Sequence, residues 1–202
     1  MFDVTVSKAV FSAIALGLTF VAFYPYARAI MKEETRPHVF SWYIWGAGTF
    51  VVFLAQLSDG AGVGAWPIGV SGLMTIGIAA LALSKSADTS FERMDWVFLS
   101  LALSALPMWF FTSSPLSAVI ILTIVDLLGF GPSVRKAYRA PWEENAVFFS
   151  LGAVRNGFVL LALENYTWAT ALFPLAVGVA CLFFVMLILS RRQVVARHPA
   201  NS

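Results

Sequence analysis

Long apolar blocks alternate with short polar breaks along the chain, and the breaks set the frame. "MKEETRP", "SDGAGVG", "KSADTSFERMD", "TSSP", "RAPWEE" and "ENYT" are polar or rich in Gly and Pro, the composition of turns. Between them lie seven apolar stretches, at about 9–30, 38–57, 66–84, 96–112, 116–138, 145–163 and 167–190. A bilayer crossing takes roughly 20 residues as helix. None of the stretches carries the polar face that a soluble helical bundle turns to water. The pattern therefore predicts an all-α integral membrane protein with seven transmembrane helices. The fourth stretch is short, and Pro107 predicts a kink in it. The first follows Lys8 without a small-residue cleavage site, so it is expected to remain as a helix and not to leave as a signal peptide.

Composition agrees with this pattern. The chain is 59% hydrophobic and 12% charged, where a soluble domain is about a quarter charged. The formal charge of +2 matters less than where the charges fall. Arg28, Lys32, Arg36, Lys85, Arg93, Arg135, Lys136, Arg139, Arg191, Arg192 and Arg197 all lie on one side of the seven-span layout. Only Lys8 lies on the other side, and Arg155 sits within a span. The positive-inside bias predicts a multi-pass protein of the inner (plasma) membrane, N-terminus outside and C-terminus in the cytoplasm. Trp66, Trp96, Trp109, Trp142 and Trp168 stand at span ends, where indoles anchor in the interface. Cys181 is the single cysteine, which excludes an intrachain disulfide and any zinc or thiol-redox motif.

An internal repeat emerges when the chain is shifted against itself. A shift of 107 residues lays Pro25 on Pro132, Arg28 on Arg135 and Pro67 on Pro174. Between these anchors the shift is 109, placing Ser41 on Ser150 and Gly48 on Gly157. Spans 1–3 thus repeat as spans 5–7, and span 4 links them. An odd linker lets both copies keep one orientation, which makes the repeat parallel. The expected organisation is a first three-helix repeat at 1–90, a linker helix at 91–114, and a second repeat with a cytoplasmic tail at 115–202.

This three-one-three order, with Pro25 and Pro132 near the ends of the first helix of each triple, resembles the SWEET and PQ-loop superfamily. Nicotinamide riboside transporters and the KDEL receptor share related architectures. The resemblance implies two bundles rocking about a central site, with Pro25 and Pro132 as hinges. The stretches "PHVFSWYIWG" and "AQLSDGAG" are more closely similar to a group of uncharacterised bacterial seven-helix membrane proteins. The chain departs from the superfamily in two ways. Its prolines are followed by Tyr26 and Ser133, so the "PQ" dipeptide is absent. Span 6 has no Trp and spans 3 and 7 no Asn, which speaks against the sugar site of SWEET proteins.

Two ionisable acid or base side chains lie deep in spans, Asp126 and Arg155. Each is expensive in hydrocarbon unless paired or hydrated. Asp126 lies 12 residues before Tyr138 and Arg155 12 residues after Glu143, which puts both about 18 Å from the cytoplasmic edge. The reading expects an ion pair between them, direct or through water. It serves either as a structural lock or as a switch, with Asp126 taking a proton or Arg155 an anionic group of a solute. Asn156 is a further hydrogen-bonding candidate, although its helix position points about 100° away from Arg155. In span 2, Trp42, Trp45 and Thr49 share much of one face with Ser41. The repeat lays Gly46 on Arg155, so this Trp face is expected to meet the Arg155 face at the centre. Flat aromatics there suit a ring-shaped ligand or a cation, or simply interfacial packing.

The chain contains no HExxH, GxSxG or Walker A motif and no Cys cluster, and span 7 has no lysine for a retinal Schiff base. No cofactor, metal or nucleic-acid partner is expected, only membrane lipid and a small solute. An intramembrane enzyme is the poorest fit, because an arginine beside a lone carboxylate weakens it as an acid or base. The expected function is a small-solute transporter working by alternating access. The alternative is a seven-helix receptor or scaffold that binds a ligand without moving it.

Overall fold

The computed structural model describes residues 4–33, 39–85, 93–139, 141–144 and 146–195. Arg36, His38, Arg197 and His198 lie outside them, as do the side chains of Pro132, Arg135 and Lys136. The described residues form seven α-helices and no strand. The helices are α1 (Val4–Met31), α2 (Val39–Ser58), α3 (Trp66–Leu83), α4 (Arg93–Thr112), α5 (Pro115–Arg139), α6 (Ala146–Ala162) and α7 (Trp168–Val194). Short 3-10 turns at Gly62–Ala65 and Pro141–Glu143 precede α3 and α6.

Each helix falls on one apolar stretch of the sequence. Five segments, Val6–Met31, Val39–Ser58, Gly62–Leu83, Asp95–Thr112 and Trp168–Val194, are long and apolar enough to cross a membrane. The apolar parts of the other two helices, Pro115–Gly131 and Ala146–Ala162, are shorter. The protein is all-helical and membrane-embedded. Large apolar side chains accordingly point outward; Phe110 and Phe111 on α4 are each 80% exposed, a liability in water that lipid removes.

α4 remains helical through Pro107, as α1 does through Pro25 and α7 through Pro174. A proline inside a helix deprives the carbonyl four residues earlier of its N–H partner. Pro67 stands in the first turn of α3, where its missing N–H costs little, and the Val63 carbonyl in the preceding turn accepts from Ser12 Oγ on α1 at 2.7 Å. Inside α7 another helix supplies the missing donor. Pro174 frees the carbonyl of Thr170, which accepts from Gln56 Nε2 on α2 at 2.6 Å. Gln56 is fully buried. Gln56→Leu should lower stability by about 1–3 kcal/mol, because it strands a buried carbonyl. Denaturant unfolding in mixed micelles measures this, and an unchanged midpoint would mean that Thr170 finds another donor.

Chain order and packing agree for α2 and α3, α4 and α5, and α6 and α7, but not for α1 and α2 or α5 and α6. α3 packs against both α1 and α2, and α7 against both α5 and α6. The two groups join where α1 lies on α6 and where α2 lies on α5 and α7; α4 rests on α5 and, less closely, on α2. α2 and α3 cross with their backbones nearly touching. A Cβ on Gly46 would lie 2.8 Å from Ile76 N, and one on Gly72 2.9 Å from Phe50 N.

Buried apolar side chains divide unevenly along the molecule. Towards the end that carries the N-terminus and the α2–α3 and α6–α7 turns, one cluster includes Ala15, Val52, Ile68, Val119, Val159 and Phe173, and so draws on both groups. Towards the opposite, basic end the clusters separate. Phe23, Ile30 and Ile78 pack within α1 and α3, whereas Ala137, Phe184 and Ile188 pack within α5 and α7.

Candidate functional site

Asp126 on α5 and Arg155 on α6 lie on the helices where the sequence places them, but the partners of Arg155 are not the expected one. Arg155 on α6 is 9% exposed. Its Nη1 donates to Ser71 Oγ on α3 at 2.8 Å, and its Nη2 to Asn156 Oδ1 at 3.2 Å. Its Nε is buried without a partner. Asn156 therefore works beside Arg155 despite its offset on the helix, and its Nδ2 is tied to the Gly152 carbonyl at 2.8 Å. The guanidinium reaches across from one helix group to the other.

Asp126 and Arg155 act on each other electrostatically, but the structure forms no direct ion pair between them; the guanidinium is turned to Ser71 and Asn156 instead. The reason is topological. The matched depths assumed that consecutive antiparallel helices are neighbours, and here α7 packs between α5 and α6. Cys181 of α7 lies within the field of both charges and against Gly152 of α6.

The face of α5 that carries Asp126 is turned to α2. Gly129 lies under the Trp45 indole, where a Cβ would come within 2.7 Å of the ring, and Leu122 packs on Gly48. Asp126 is four residues from one contact and three from the other, hence on the same helical face. Trp45 and half-buried Thr49, one turn apart, lie on the α2 face so engaged. Trp42 stacks on Tyr26 of α1 at 4.8 Å between ring centroids and meets Trp45 edge-on at 6.2 Å. The expected meeting of the Trp face with Arg155 is thus replaced: Trp45 faces the Asp126 helix, and Trp42 packs within its own helix group.

The end bearing the N-terminus is closed by polar contacts between the α2–α3 and α6–α7 turns. The Asp59 carboxylate accepts from Thr167 Oγ1, and Asn165 Nδ2 donates to the Asp59 carbonyl at 3.0 Å. Glu164 Oε1 accepts from Val63 N at 3.1 Å, and Glu164 N donates to the Ala61 carbonyl at 3.1 Å. Gly62 has φ +59°, and a Cβ there would run into the Glu164 carboxylate, so only glycine fits. Lys8 donates to the Leu163 carbonyl and lies 5.4 Å from the Tyr166 ring centre. Thr167 and Thr170 exchange reciprocal capping bonds that start α7.

At the basic end Arg191 and Arg192 fasten the α5–α6 connection. Arg191 Nε donates to the Tyr138 carbonyl at 3.0 Å and Arg192 Nη2 to that of Glu144 at 2.7 Å. Cations near the carboxyl end of a helix complement its dipole.

Sequence reasoning missed Ser71, Gln56 and Ser12. Gln56 had a usable signal, since a proline inside a helix leaves the carbonyl four residues before it in need of a donor. Among the described residues, no three His, Cys, Asp or Glu side chains gather in a group that could hold a metal ion. Comparison with family models, curated proteins and solved structures returns no match for this chain.

Proposed function

We propose that the protein is a small-solute transporter of seven spans, in which two parallel three-helix bundles, α1–α3 and α5–α7, rock about a central site with α4 as linker. The uneven core carries this reading. One apolar cluster bridges the bundles in the half towards the N-terminus, whereas each bundle has its own cluster in the basic half. A molecule built this way can part in one half while staying joined in the other. With the basic end in the cytoplasm, the conformation is closed to the outside.

Two observations support the repeat. The third helix packs between the first and second in both groups, and α1 on α6 mirrors α5 on α2. Four residues before the matched prolines Pro67 and Pro174, the carbonyls of Val63 and Thr170 each take a donor from another helix. The 17 residues of α6 extend about 25 Å, at the short end of a bilayer crossing. Pro25 and Pro132 are the proposed hinges.

Asp126 and Arg155 lie where the bundles meet, with Trp45, Thr49 and Asn156 around them, and Trp42 lies one turn nearer the basic end. In proteoliposomes loaded with a panel of small solutes, Arg155→Gln and Asp126→Asn should each abolish the counterflow seen with the unaltered protein. Normal counterflow in both folded variants would remove the two residues from the mechanism. Binding without counterflow in the unaltered protein would assign a receptor instead.

A further inference from the structure

The centre of the molecule holds two opposite charges that are close but not joined. Arg155 has five N–H donors, and its described partners, Ser71 and Asn156, are both neutral. Its Nε is buried with no acceptor. A buried guanidinium hydrogen-bonded only to neutral groups is not joined to the counter-charge that normally offsets its desolvation. Asp126, on the α5 face turned to α2, makes no hydrogen bond among the described residues and is within the field of Arg155.

The sum of the two charges is zero. A ligand with net charge would unbalance a low-dielectric site and be repelled by one of the two residues. A ligand carrying both charges a few ångströms apart would satisfy both. We propose that this site receives a small zwitterion, its carboxylate on the free edge of Arg155 and its cationic group on Asp126, with the Trp45 ring beside the latter. Ser71 and Asn156 then act as positioning residues that hold the guanidinium edge towards the ligand. Both bundles contribute: Ser71 and Trp45 come from the first, Asp126 and Arg155 from the second. The inference deepens the transporter reading and rests on it for the ligand's way in, because Arg155 Nε is closed off in the present conformation.

The test is equilibrium binding by calorimetry to the full-length protein in lipid nanodiscs. The probes are L-alanine, L-leucine, L-phenylalanine and glycine betaine, each with its matched cation lacking the carboxylate and acid lacking the cationic group; for alanine these are ethylamine and propionate. At least one zwitterion should bind, and its two truncated partners should each bind about 100-fold more weakly or worse, as expected when a buried polar group is left unpaired. Asp126→Asn should narrow the gap between zwitterion and acid. Arg155→Lys, which keeps the charge but loses the fork, should weaken the zwitterion and the acid together.

Absence of binding by every zwitterion to the folded protein would overturn the proposal, even if other solutes were transported. Equal binding of acid and zwitterion, unchanged by Asp126→Asn, would also overturn it and leave a plain anion site. Zwitterion binding without counterflow would instead sink the transporter reading and leave this site standing.

Discussion

Gly72→Leu is expected to leave little folded protein. A Cβ at this position would lie 2.9 Å from Phe50 N and 3.1 Å from Gly46 O. Both are backbone atoms of α2, which cannot rotate away as a side chain can. The helices would have to separate, and the contacts along their whole crossing would loosen together. Overpacking alone costs about 1–3 kcal/mol, and a leucine forced between two backbones should exceed that range. Gly72→Ala should fall between the two. Gly77→Ala is the control, since nothing lies within 4 Å of its Cβ position; it should be neutral or slightly stabilising, because alanine favours helix by up to about 1 kcal/mol. The measurement is the yield of monodisperse protein and its unfolding midpoint. If Gly72→Leu matched Gly77→Ala, the close α2–α3 crossing would be wrong.

Opening the contacts between the α2–α3 and α6–α7 turns should expose the centre. Asp59 and Glu164 each accept a hydrogen bond across the two turns, and such charge-assisted bonds are worth about 1.5–3 kcal/mol when sheltered. These are partly exposed, so the lower figure applies. Removing both, as Asp59→Ala with Glu164→Ala, should shift the closed population by about tenfold or more. Cys181 supplies the readout. It is the only cysteine, 5% exposed, and sits beside the two central charges. Its modification by a small water-soluble maleimide should quicken by a similar factor in the double variant. An unchanged rate in the folded variant would show that the turns do not hold the bundles together.

The helices were legible because their signal is local. An apolar block between Gly, Pro and charged breaks specifies a helix whatever surrounds it; a helix falls on each of the seven blocks, and five segments are long and apolar enough to cross a membrane. Asp126 and Arg155 stood out for the same reason, as ionisable groups in apolar runs. Their partners did not. Ser71 lies 84 residues from Arg155, and a single serine in an apolar helix carries no mark of what it will meet. Trp42 and Trp45 were identified by type and spacing, but that spacing cannot say whether the rings face a ligand, Tyr26 or Gly129.

The amino-acid order alone establishes the helical, membrane-embedded character, the helix positions and the lopsided distribution of basic residues. These follow from hydrophobicity, length and backbone chemistry, each complete within a few turns of chain. Which helices touch was settled only in three dimensions. α7 packs on both α5 and α6, touching α6 where Cys181 meets Gly152 and Gly178 meets Asn156, so the consecutive helices α5 and α6 are not each other's main neighbours. With α7 on both of them, Arg155 is turned to Ser71 of α3 and not joined to Asp126, leaving two opposite charges near each other without a direct bond.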